Sequence, residues 1–233
     1  MNCIKFCPKT ERKTGRGKPV ARGAAAWYNA GKERLRAVRE ARTMDVLLNL
    51  GIFLVTFFLI LRFFRKDGKW SPGYARGAFR YFTVQSNALC ALSALAVLLF
   101  PAGRGSWMLK YVGTAAVTVT LLTVFLFLGP TMGYRNLLKG GDLFMHLLTP
   151  LAAIVSFGFL ERRGMRFPQT LAGMLPVVLY GLWYLYKTVY APEDRRWEDF
   201  YGFNRGGKWP VAFAAMMAGA LAVCLALTAL QNA

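Results

Sequence analysis

Six long stretches free of Asp, Glu, Lys and Arg dominate this 233-residue chain. They cover residues 46–61, 81–103, 111–134, 143–160, 167–186 and 209–233, with lengths of 16, 23, 24, 18, 20 and 25. A bilayer core about 30 Å thick needs roughly 20 helical residues at about 1.5 Å each. The first run reaches that length through Phe63 and Phe64 if the Arg62 side chain snorkels to the headgroups. Backbone groups cannot stay unpaired in lipid, so helices are the natural way to span it. The expected fold class is therefore all-α, a polytopic integral membrane protein built as a six-transmembrane-helix bundle. Aromatic rings at the ends of the runs, among them Trp70, Tyr81, Trp107, Tyr190 and Trp209, suit the interface and support these boundaries. Pro150 and Pro176 fall inside spans, where they are expected to bend the helix rather than end it.

Charge divides the chain in two. Of 30 Lys and Arg, 12 fall in residues 1–43, against a net charge of +19 for the whole. Residues 1–43 read as a basic membrane-proximal tail and residues 44–233 as the membrane domain. A basic segment beside a bilayer gains about 1 kcal/mol per Lys or Arg from anionic lipid, so anionic membrane lipids are the expected partner of the tail. Nucleic acid is not expected, because no recognition motif accompanies the charge. The tail has no apolar stretch of the kind a cleaved leader needs, which leaves the first span as an uncleaved anchor. Apolar content excludes disorder for most of the chain, and four scattered cysteines exclude a disulfide scaffold. Cys3 and Cys7 have no partner pair or nearby histidine, so neither a metal nor an organic cofactor is expected. With the N-terminus inside, 17 basic residues are cytoplasmic and 13 are not. Counting the tail only from Lys32 reverses that balance to 10 against 13, so the N-terminus is placed inside as a provisional orientation.

Polar groups within spans are expensive and mark candidate functional sites. The second run opens Tyr81-Phe82-Thr83-Val84-Gln85-Ser86-Asn87. The fourth opens at Asp142 and carries the chain's single histidine, His146, then Thr149 and Pro150. Even-numbered spans all start on one side of the membrane, so Thr83 and His146 belong to one leaflet, about a turn below the interface. The loop between the last two spans returns to that side with Asp199, Tyr201 and Asn204. Thr83, Ser86 and Asn87 share a helical face at i, i+3 and i+4, as do Asp142 and His146 at i and i+4. Asp142 is positioned to cap its helix and to orient the imidazole. Bland readings exist for each. Transmembrane threonines commonly bond their own i−4 carbonyl, Asp142 can be a cap alone, and Gln85, Ser86 and Asn87 can simply join helices.

Tyr81-Phe82-Thr83 together with His146-Leu147-Leu148-Thr149-Pro150 resembles the androgen-induced-gene family of membrane proteins, in its bacterial branch. The resemblance spans most of residues 44–230. It implies a six-helix membrane fold and, from the animal members, hydrolysis of fatty acid esters of hydroxy fatty acids. Thr83 matches the family's threonine nucleophile and His146 its histidine.

The expected activity is thus an intramembrane lipid-ester hydrolase, an esterase of lipid metabolism with an amphipathic lipid ester as substrate. Thr83 attacks, His146 is the base and Asp142 orients it, while Gln85, Ser86, Asn87 and Thr149 are candidates for binding substrate or its oxyanion. Two alternatives stand beside it. One is a small transporter or channel with a path lined by His146, Asp142 and the Gln85–Asn87 face. The other is a non-catalytic scaffold. The expected location is a bacterial cytoplasmic membrane; the sequence carries no sign of oligomeric state.

Overall fold

In the computed structural model, residues 19–233 are described, with side chains described for Asn29 and from Gly31 onward. Cys3, Cys7 and the start of the basic tail lie outside the described residues. Described residues up to Glu40 form one compact unit and Ala41–Ala233 a second.

Apart from one small hairpin, regular structure is helical. Helix α1 runs Pro19–Phe63. A hairpin follows, β1 (Arg65–Lys66) paired antiparallel with β2 (Lys69–Trp70), with Arg65 opposite Trp70 and Lys66 opposite Lys69. Its turn is Asp67-Gly68, both at positive φ (52° and 75°), the two-residue turn whose twist matches a hairpin. The Trp70 ring stacks on Phe64 at 5.0 Å. Helices α2 (Pro72–Ala78), α3 (Phe82–Leu99), α4 (Arg104–Met132), α5 (Tyr134–Leu137) and α6 (Gly141–Leu160) come next. Residues 167–190 form α7 and Trp209–Asn232 form α8.

Among the described residues, five helices are long and apolar enough to cross a bilayer: Gly31–Phe63 of α1, then α3, α4, α6 and α8. The chain is accordingly a multi-pass, all-α integral membrane protein. Large apolar side chains left exposed on these helices, such as Leu92, Leu99, Leu126 and Phe159, suit a lipid-facing surface.

Proline shapes three of the long helices. A proline lacks the N–H that bonds the i−4 carbonyl, and its ring crowds that carbonyl. In α4 a π turn at Val124–Leu128 precedes Pro130, and in α6 a π turn at Phe144–Leu148 precedes Pro150. In α7 a 3₁₀ turn at Leu171–Met174 precedes Pro176. The helix continues past each proline by changing its winding, so the expected bends take the form of local changes of pitch.

Helix α4 is the central one, with Tyr111, Ala115, Ala116 and Val117 wholly buried. On one flank Val117 packs with Ile52, Cys90, Ala94 and Ala153. On another, Trp107, Tyr111 and Ala115 pack with Phe157, Val177 and Cys224. Gly113 allows α3 to approach closely: a Cβ there would lie 2.7 Å from Ser93 Oγ and 3.0 Å from Cys90 Cα.

Candidate functional site

The helix starts of α3 and α6 meet as the parity of the spans requires. Asn87 is fully buried, and its Nδ2 donates to the Thr83 carbonyl (2.8 Å) and to the Met145 carbonyl (3.0 Å). That second bond joins α3 to α6 beside His146. Ser86 Oγ, buried, lies 2.8 Å from Thr120 Oγ1 of α4 and donates to the Thr83 carbonyl at 3.1 Å. Gln85 Nε2 donates to the Phe79 carbonyl at 2.8 Å, tying α3 to the loop before it. These three side chains hold the start of α3 in place. An amide nitrogen carries two protons, and Asn87 has committed both, so it has none left for an oxyanion. This corrects one expected role of Asn87.

His146 is 8% exposed and sits inside the π turn of α6. Its Nδ1 lies 2.6 Å from the Leu137 carbonyl at the end of α5. A carbonyl can only accept, so Nδ1 carries the proton and Nε2 presents its lone pair. The orienting group is therefore the Leu137 carbonyl and not Asp142, which corrects the sequence expectation. Asp142 is exposed, and its carboxylate makes no hydrogen bond among the described residues. Nor does it cap the helix: Gly140 holds that position. Four residues make close to one turn in α and π winding alike, so spacing is not what separates the pair: the Leu137 carbonyl occupies Nδ1 and the Asp142 carboxylate is exposed. Thr149 is buried on α6, in the turn after His146.

Tyr201, from the loop between α7 and α8, completes the arrangement. Its hydroxyl oxygen accepts the Phe82 N–H at 3.1 Å, filling one of the unpaired positions at the start of α3. The loop is built around Asp199, whose carboxylate accepts from Tyr184 Oη (3.0 Å), the Phe203 N–H (2.8 Å) and the Asn204 N–H (2.7 Å). Tyr180 Oη in turn donates to the Arg80 carbonyl at 2.8 Å. Burial pushes the Tyr201 phenol up to about 12, against the opposing effect of the Phe82 N–H and of the Tyr180 and Thr83 hydroxyls facing it. Either of those two hydroxyls can share the phenol's own proton.

Thr83 and Tyr201 look onto a cavity of about 330 Å³ between α3, α4, α7 and α8. Its wall is mostly apolar, with Val119, Leu126, Val177 and Met216 among the lining side chains. Chemically it is a slot for a hydrocarbon chain, with hydroxyl-bearing residues on its wall that include Thr120, Thr123, Tyr180 and Tyr184 besides Thr83 and Tyr201. His146 does not line it, and Thr83 and His146 are not joined by a hydrogen bond. What links them is Asn87, which holds the Thr83 carbonyl and the residue next to His146 at once. Sequence reasoning placed Tyr201 on this side of the membrane but gave it no role. The signal was available in the span count, not in any local motif.

At the other end of α6 lies a second buried polar cluster, which the sequence reading missed. Lys110 Nζ bonds Asp45 Oδ1 (2.9 Å) and Glu161 Oε2 (2.7 Å), with its side chain 4% exposed. Ser156 Oγ donates to Asp45 Oδ1 at 2.5 Å, and Arg163 pairs with Glu161. Two cations and two carboxylates cancel. Among the described residues no group of His, Cys, Asp and Glu is placed to hold a metal ion. No known protein family matches this chain, and no curated protein or solved structure does.

Proposed function

We propose that the chain is an intramembrane lipid-ester hydrolase with Thr83 as nucleophile and His146 as general base. The reading includes residues 167–190 as a sixth span and a bacterial cytoplasmic membrane with the N-terminus inside. The observation that carries it is Thr83 at the wall of a mostly apolar, chain-sized cavity, with the Tyr201 hydroxyl beside it.

The ester carbonyl sits between those two hydroxyls, with one hydrocarbon arm in the cavity. Thr83 Oγ attacks the carbonyl carbon while its proton passes to His146 Nε2, directly or through one water. Nδ1 keeps its proton on the Leu137 carbonyl throughout. Tyr201 turns its proton from the neighbouring hydroxyls to the developing oxyanion, the task Asn87 cannot perform; a donor of this kind is worth about 10²–10³ in rate. The C–O bond breaks, and the leaving alcohol takes the proton from His146. Water then hydrolyses the acyl-threonine by the reverse proton route. A fatty acid ester of a hydroxy fatty acid fits in class, its carboxylate resting near Arg76 and Arg80 at the interface.

The test is covalent labelling by a long-chain fluorophosphonate together with hydrolysis of a fluorogenic lipid ester. Wild type and Thr83→Ser should label, while Thr83→Ala should not label and His146→Ala should turn over at least about 10²-fold slower. Labelling of Thr83→Ala at the wild-type rate would remove the nucleophile from this scheme.

A further inference from the structure

A second cavity, of about 500 Å³, opens where α4 and α7 begin and α8 ends, at the same end of the molecule as the Lys110 cluster. Its chemistry differs entirely from that of the first. Arg104, Arg163 and Arg166 line it with Trp107, Gln169 and Asn232, and no acidic side chain does.

Some of these groups are already committed. Arg163 donates to the Pro101 carbonyl (2.5 Å), the Gly103 carbonyl (3.3 Å) and Glu161. Asn232 exchanges two hydrogen bonds with the Met165 backbone, and Gln169 Oε1 accepts the Arg166 N–H at 2.8 Å. What remains is all donor. The Arg104 and Arg166 guanidinium groups make no hydrogen bond or ion pair among the described residues. The Trp107 side chain is 2% exposed, yet its Nε1–H is buried without a partner. That N–H is closed to solvent, so Trp107 serves the cavity with its ring, over which the Arg163 guanidinium sits at 5.9 Å. The start of α4, with Gly103 at its cap and no side chain to satisfy its first N–H groups, adds the positive end of a 29-residue helix dipole.

We propose that this cavity binds a phosphate oxyanion, held by Arg104 and Arg166 beside the start of α4, and that the phosphate belongs to an anionic phospholipid headgroup. Position favours the lipid: the cavity lies at span ends, where headgroups sit, so a bound lipid keeps its chains along α4 and α7. Two guanidinium forks suit phosphate oxygens bidentately. The site is separate from the cavity at Thr83 and does not rest on the hydrolase reading.

Equilibrium binding to the full chain in neutral detergent decides it, with a fluorescent-tailed phosphatidylglycerol as probe and phosphatidylcholine as reference. The wild type should prefer phosphatidylglycerol. Arg104→Gln/Arg166→Gln should weaken binding about tenfold or more. Arg162→Gln, outside the cavity, should leave it unchanged. Thermal unfolding of each variant separates lost binding from lost fold. Inorganic phosphate is the second arm. If it binds with the same variant dependence and phosphatidylglycerol does not displace it, the oxyanion site stands and its source is free phosphate. Equal binding of phosphatidylglycerol by wild type and the double variant, both folded, overturns the proposal.

Discussion

Replacing Lys110 with methionine keeps the stem of the side chain and removes only its ammonium. That group sits 2.9 Å from Asp45 and 2.7 Å from Glu161, whose side chains are 11% and 14% exposed. With an effective dielectric of about 20, each contact is worth roughly 6 kcal/mol of attraction before the cost of desolvating the ions. The net loss on breaking a buried pair from one side is smaller, about 3–5 kcal/mol, because a charge is left without its counter-ion. Glu161 retains Arg163, so Asp45 is the stranded group, with only the Ser156 hydroxyl on its carboxylate. Lys110→Met should lower the melting temperature in detergent by roughly 6–20 °C, at about 2–4 °C per kcal/mol for a chain of this size. Asp45→Asn/Lys110→Met should recover most of that, since it removes the stranded charge together with its partner. If Lys110→Met melts like wild type, or the double variant is no better than the single, the cluster does not clamp α1, α4 and α6 as argued.

Two further outcomes follow from the geometry. Gly113→Val should destabilise by about 1–3 kcal/mol by forcing α3 and α4 apart, whereas Gly51→Ala, with nothing within 4 Å, should stabilise by about 0.5–1 kcal/mol; parallel melting curves check both. The Tyr201 phenol holds its proton to about 12 in the folded chain, against 10.0 for a free phenol. Its contribution to stability is complete below pH 10 and is lost as pH rises toward 12, because only the unfolded chain gives up the proton in that window. Tyr201→Phe should flatten the alkaline fall in stability over the same range, and an unchanged slope would place Tyr201 in water.

Length and apolar content made the spans legible, because the bilayer imposes a single physical requirement on them. Residues 167–190 show its limit. The sequence reads as one apolar run, yet the turn before Pro176 tightens to 3₁₀, so the α-helical part alone is too short to be recognised as a span. Parity of the spans foresaw that the loop holding Tyr201 returns to the start of α3, and the Phe82–Tyr201 hydrogen bond follows from it. The pairing of Asp142 with His146 failed because the group that takes the ring, the Leu137 carbonyl, comes from nine residues earlier, where spacing along the helix gives no signal. The ion cluster was not legible at all. Its members are 65 and 51 residues apart, and at span margins Lys110 and Glu161 look like ordinary loop charges. The Asp67-Gly68 turn did carry a local signal, because both positions need positive φ.

The wide turn at Phe144–Leu148 amounts to one surplus amino acid lodged in a helix. Because the wide turn absorbs that residue, excising one of the five would let the rod close into regular winding with the stretches on either side still facing the neighbours they face now. Only the side chains of the turn itself would be re-dealt, and the imidazole would keep or lose its place on the Leu137 carbonyl according to which residue was removed. In this chain, which way the ring points is set by a count of residues as much as by their identity.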